Sequence, residues 1–289
     1  MAGELQFHAP TALEYFAALV ADDAHLPLLE AAITIAHDEY PQLDSQGVLA
    51  EIDALAERLK RRVPGDAAAM QRLRWLNRYF FQELGFAGNA NDYYDPRNSY
   101  VHEVLGTRRG IPITLAVLYI ELASQVGLTA RGVSFPGHFL VKLKMSQGEV
   151  VIDPMSGQSL SREELDEMLV PYRRRQGLAG DFEVPLGLFL QAAPARDVLA
   201  RMLRNLKEIF RSGADWSRLL AVQHRLVILL PQSAEERRDR GLTYAELGFN
   251  DSAADDLAYY LDHVPQAGDR GVLGERLRML RRLGRPRLH

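Results

Sequence analysis

The sequence predicts an α+β protein: a helical first part carrying a small antiparallel sheet, then a second part that is all helix. Three observations carry that expectation. Apolar residues recur at three- and four-residue spacing through residues 11–85 and again from about 195. Between residues 129 and 154 the pattern changes to short, turn-bounded, strand-like runs. Finally, Pro231 and Pro265 each end an apolar helical stretch and lie 34 residues apart, which marks a repeated helical unit.

The helical segments follow in order. "ALEYFAALV", "LPLLEAAITIAHDEY", "GVLAEIDALAERLKRRV" and "AAMQRLRWLNRYFFQELGF" are separated by Pro41, Gly47, Pro64-Gly65 and Gly85. In the third, Val48, Leu49, Ile52, Leu55, Leu59 and Val63 share one face. Residues 88–100, "GNANDYYDPRNSY", are dense in turn formers and predict a loop. The run from Gly110 to Val126 predicts a buried central helix. Pro112 suits its first turn, where the missing N–H is not needed, and Gly127 suits its end.

"TARGVSF", "HFLVKLKM" and "EVVIDP" then predict strands. Alternation in "HFLVKLKM" puts Phe139, Val141, Leu143 and Met145 on one face, and His138, Leu140, Lys142 and Lys144 on the other. "SQGE" would turn this strand into "VVIDP" as a hairpin. Ser161 and Glu164 form a capping box for the next helix, and "EVPLGLFLQAAP" reads as a connector. The expected domains are residues 1–190 and 195–289.

The chain has 289 residues and a net charge of −4, with a pI near 6.1. Nothing in that balance calls for nucleic acid or an acidic membrane surface. The most apolar run contains Glu121 and reads as a core helix rather than a membrane span. The first residues lack a basic stretch followed by an apolar core, so the cytoplasm is the expected compartment. There is no cysteine. That excludes disulfides, thiolate–zinc sites, iron–sulfur clusters and a cysteine nucleophile.

Several strings fall short of the motifs they approach. "HEVLG" (102–106) has Gly106 where a zinc-protease helix needs a second histidine. "GTRRGIP" (106–112) lacks the Lys-Ser/Thr of a phosphate loop. In "HDE" (37–39) the neighbours face different ways on a helix. No metal site and no cofactor are expected. The basic runs 58–63, 172–176 and 276–289 read first as solvated helix faces; a docking surface for an acidic partner is the alternative.

His138 and Asp153 are different. A histidine opening one hairpin strand and an aspartate closing the next can meet, and such a carboxylate orients an imidazole as a base. By spacing alone, a satisfied polar pair at a strand edge is the simpler reading.

"RRGIPITLAVLYIELASQVGLTARGVSFPGHFLVKL…VVIDP" resembles the transglutaminase-like core, a papain-like arrangement. Gly110 matches its glycine, Ala116 its alanine, and Gly127, Ala130 and Arg131 its turn. His138 matches its histidine and Asp153-Pro154 its Asp-Pro. The position of the catalytic cysteine falls on Pro112. More narrowly, the chain is similar to the bacterial SirB family of invasion-regulator-type proteins, which join such a domain to tetratricopeptide repeats. In the repeat region Gly241, Tyr244, Gly248, Ala253 and Pro265 fill the usual small, aromatic and proline positions. Lys207 and Phe210 replace the first two in a degenerate preceding unit. "GVLGERLRMLRRL", with Leu273, Leu277 and Leu280 on one face, would cap the array.

The resemblance implies a relic triad of Pro112, His138 and Asp153. It also implies a ligand groove near Arg108, Arg109, Gly110, Tyr93, Tyr94, His138 and Asp153, with the two arginines favouring an acidic ligand. Proline has no nucleophilic atom and no N–H for an oxyanion. Thr114, two residues on, should face away, and Ser134 lies on the preceding segment. The expectation is a non-catalytic protein-interaction or regulatory module with a protein or peptide partner. The alternative is a weak hydrolase or amidase using His138, Asp153 and water.

Overall fold

The structure is a computed structural model and describes residues 10–177 and 184–283. The first nine residues, read above for an export signal, and the end of the basic tail beyond Leu283 lie outside the described residues. Backbone contacts divide the chain into two units. One comprises Leu26–Ala36 and Gln42–Met202. The other comprises the described residues up to His25, His37–Pro41, and the described residues from Leu203 onward.

Helix α1 (Ala12–Leu19) opens with a capping box between Thr11 and Glu14. Its amphipathic pattern does not say which neighbour it will choose, and it packs in the second of these units, not with the helices that follow it.

The larger unit begins with α2 (Leu28–Thr34), α3 (Ser45–Lys60) and α4 (Ala69–Asn77). In α3, Ile52, Leu55 and Leu59 are buried and Val48 and Leu49 partly so; Val63, also partly buried, lies beyond the helix end. Strand β1 (Ala87–Gly88), helix α5 (Val101–Thr107) and strand β2 (Arg109–Gly110) lead into α6 (Pro112–Gln125). The expected loop 88–100 thus starts as a strand and contains one 3-10 turn, Pro96–Ser99.

Pro112 is the first residue of α6, as its fixed φ favours. Gly127 follows the helix with φ +74°. Ile113, Leu115, Val117, Leu118 and Leu122 are all buried, because α6 packs against α2, α3, α4, α5 and the sheet that follows.

That sheet is antiparallel, in the order β3 (Ala130–Val133), β4 (Leu140–Met145), β5 (Gly148–Ile152), β6 (Ser159–Leu160). The β4–β5 hairpin pairs Val141 with Ile152. Helix α7 (Arg162–Arg175) carries the Ser161–Glu164 capping box, and the connector contains a short helix, α8 (Leu186–Phe189).

The strict alternation expected in β4 does not hold. Leu140 and Val141 are both fully buried. Helix α6 covers one face of the sheet, and Leu165, Leu169 and Leu186 join Leu140, Val133 and Val151 in a core on the other. Burying both faces replaces a polar–apolar pattern by an apolar run. The strand also starts later than its pattern suggested, so His138 and Phe139 precede it.

Helix α9 (Ala195–Ser212) begins in the larger unit and contributes its second half to the other. There α10 (Trp216–Leu229), α11 (Ala234–Glu246), α12 (Asn250–His263) and α13 (Arg270–Leu283) stack in sequence. Gly241 sits at a close approach: a Cβ there would stand 3.0 Å from the Asp256 Cβ and 3.2 Å from the Leu257 Cγ. At the equivalent place in the earlier unit, Lys207 is buried, with its Nζ 2.6 Å from both Glu236 and Asp239 carboxylates. Leu273, Leu277 and Leu280 of α13 close the core.

Candidate functional site

Gly110 and Pro112 bring the start of α6 to one side of a short backbone ladder. Gly110 pairs with Gly88 across the parallel β1–β2 bridge. It sits so close to α5 that a Cβ would meet both Val104 methyls at 2.9 Å. On the other side of β1, the Gly88 N–H donates to the Met155 carbonyl at 3.0 Å. Met155 belongs to the turn that begins at Asp153, whose carbonyl accepts the Gly157 N–H at 2.8 Å. Backbone hydrogen bonds therefore run from the helix start through β1 to the aspartate.

The Asp153 side chain accepts two bonds with one oxygen. His138 Nε2 is 3.1 Å from Oδ1, and the Met155 N–H donates to it at 2.8 Å. Burial pushes the Asp153 carboxyl up, but these two bonds and the imidazole's charge outweigh it and hold it below the ordinary carboxylate range. An ionised carboxylate only accepts, so His138 donates from Nε2; in the neutral imidazole the lone pair is then on Nδ1. That Nδ1 makes no hydrogen bond with any described residue. This is the arrangement expected of the base-and-orienter half of a triad, held by a turn on each side of the hairpin.

The other half is absent. Pro112 is buried at the first helical position and offers neither a heteroatom nor an N–H. Thr114 is fully buried and its hydroxyl is without a partner. Ser134 is exposed and makes no hydrogen bond to His138. Among the described residues, no three His, Asp or Glu side chains gather as a metal ion would require.

The arginines expected at the rim are engaged elsewhere. Arg108, in a left-handed conformation with φ 60°, lies over the Phe86 ring at 4.8 Å and 3.9 Å from Glu51. Arg109 donates to the Gly85 carbonyl at 2.6 Å. Tyr93 and Tyr94 remain open, 43% and 77% exposed, with their rings edge to face at 5.4 Å.

A different arginine reaches the histidine. Arg201, on α9, donates to the His138 carbonyl at 2.7 Å and to the Phe135 carbonyl at 3.3 Å. Its guanidinium lies 5.5 Å from the Phe139 ring centre; burial lowers its pKa, and the nearby Tyr93 opposes that. Sequence reasoning missed it because 63 residues separate it from His138 and no local pattern links the two.

Residues 46–204, more than half of the chain, match the model of the transglutaminase-like superfamily, and residues 206–278 match that of the tetratricopeptide repeat. A UPF0162 protein of Xylella fastidiosa (strain 9a5c) is 42% identical over 84% of this chain and 86% of its own length. A UPF0162 protein of Pseudomonas aeruginosa is 29% identical over 86% and 89%. The UPF0162 protein YchA of Escherichia coli K12 is 26% identical over 83% and 87%. No solved structure matches the chain. The chain thus belongs to the UPF0162 family, with a transglutaminase-like domain followed by tetratricopeptide repeats.

Proposed function

We propose that this chain is a non-catalytic binding protein, a protein-interaction or regulatory module that keeps the transglutaminase-like framework without its reaction. One observation carries the reading. His138 and Asp153 are bonded as a base and its orienter, yet the nucleophile position holds Pro112. Removing a triad nucleophile costs on the order of 10⁶ in rate in a studied protease. The helical repeats supply a second reason, since stacked helix pairs present extended surfaces suited to peptides and helices. The partner is a protein or peptide, and the narrower kinship is with SirB-type proteins of the bacterial cytoplasm.

The second reading is slow hydrolysis by water. The open Nδ1 of His138 favours it, because an oriented imidazole with a free lone pair is a competent base. Two measurements separate the readings. The full-length chain is assayed on peptide-amide, ester and amine-transfer substrates beside His138→Ala. It is also screened against a displayed library of random peptides. The binding reading expects equal, background turnover from both proteins and enrichment of a shared peptide motif. Turnover that His138→Ala abolishes while remaining folded would replace it with the hydrolase. A screen that enriches nothing would count against binding.

A further inference from the structure

Arg201 is a partly buried cation that faces no acid. Each guanidinium has five N–H donors. Arg201 uses two, on the carbonyls of His138 and Phe135, and its Nε makes no hydrogen bond with any described residue. No described Asp or Glu lies within ion-pair distance of it.

Several other shielded cations are treated differently, although Arg237, stacked on the Tyr259 ring, also has no described acid at ion-pair distance. Arg240 pairs with both Asp256 oxygens at 2.7 and 2.8 Å, Arg225 pairs with Asp38, and Lys207 sits between two carboxylates. Arg72 has no acid either, but all three of its nitrogens donate to carbonyls, of Ala67, Val126 and Gly65. Arg72 is a fully used structural arginine; Arg201 is not.

We propose that Arg201, with Tyr93 beside it and the His138 turn beneath it, forms a subsite for the carboxylate of an acidic peptide ligand. The inference rests on the binding role proposed above and names its ligand class. Desolvation weakens a cation's hold on its charge unless an anion compensates, and burial does push the Arg201 pKa down, opposed by Tyr93 alone. A carboxylate would restore the balance. Its planar pair of oxygens fits the guanidinium fork, and the Tyr93 hydroxyl adds a neutral donor.

A single arginine with no second cation suits a singly charged carboxylate better than a phosphate, which draws clusters of cations. The open faces of Tyr93 and Tyr94 give the flanking peptide an apolar platform. The nearby Asp153 charge does not repel such a ligand strongly, being held by two donors.

The test uses the full-length chain with ¹⁵N-labelled arginine and histidine. Glutarate is titrated at constant ionic strength, with neutral glutaramide as control. The expected result is a saturable shift of the Arg201 Nε–H and His138 ring signals with glutarate and none with glutaramide. Arg201→Gln should abolish it. Tyr93→Phe, which leaves the carbonyl bonds of Arg201 intact and so keeps the fold, should weaken it about 3- to 10-fold, one hydrogen bond's worth. An equal response to glutaramide, or unchanged glutarate binding in Tyr93→Phe and Arg201→Gln, overturns the proposal. The two readings fail separately. If displayed peptides bind but acidic residues are not enriched, and binding survives Arg201→Gln, the carboxylate subsite is wrong and the binding role stands.

Discussion

Asp153 Oδ1 lies 3.1 Å from His138 Nε2, and this one contact joins the two ends of the β4–β5 hairpin across a turn on each strand. The geometry orients the imidazole, and it also makes the aspartate's charge part of the fold.

Stability in acid should depend on Asp153. Its folded pKa lies below the ordinary value, so its contribution is complete above the unfolded pKa of about 4 and is lost as pH falls through the folded pKa. Asp153→Asn should therefore be less stable than wild type at neutral pH, with the gap narrowing below about pH 4. Urea unfolding at pH 7, 5 and 3 measures it; a gap that is constant across pH contradicts the assignment.

Pro112→Cys restores a thiol to the helix start. A thiol there gains from the helix N-terminus and from an imidazole base, so its alkylation should slow several-fold on adding His138→Ala. Iodoacetamide kinetics on the two variants decide this. Equal rates would mean that position 112 and His138 do not address the same space.

Lys207→Met should be destabilising. It would leave Glu236, 4% exposed, with Arg204 alone and Asp239 with Arg238 alone. Because each carboxylate keeps one cation, the cost should fall below the about 3–5 kcal/mol of a fully uncompensated buried charge. Adding Glu236→Gln should recover part of the loss. A fall in Tm that the second change does not reduce would show that packing, not charge, was lost.

Gly241→Ala should cost about 1–3 kcal/mol, because the new methyl meets Asp256 and Leu257 across the α11–α12 contact. Gly248→Ala is the comparison: its Cβ meets nothing, and only its φ of +80° resists. Thermal melts of both separate crowding from backbone strain.

Much of the fold could be read along the chain because local physics set it. Pro112 opens α6 because a proline fits a first helical turn and little else in an apolar helix. Ser161 and Glu164 cap α7 because the two side chains bond each other's backbone within three residues. The β4–β5 hairpin follows from two apolar runs and a short polar turn. Other features were not legible. The burial of Leu140 depends on Leu165 and Leu186 arriving from later helices. The choice of partner by α1 depends on which apolar surface its Phe16 finds, and nothing in its own eight residues specifies that.

The site divides the same way. The chemical groups could be read along the chain: a histidine, an aspartate and a proline where the resemblance expects a nucleophile. Residue identity suffices for that, because no fold can give proline a lone pair to attack with. Which arginine stands by the histidine was settled by packing. Arg108 and Arg109 are neighbours of the helix start in sequence, but their side chains bond to Phe86, Glu51 and Gly85. Arg201 comes from a distant helix to hold the His138 carbonyl. Side-chain direction is settled by packing among remote elements, and one-dimensional spacing carries no record of it.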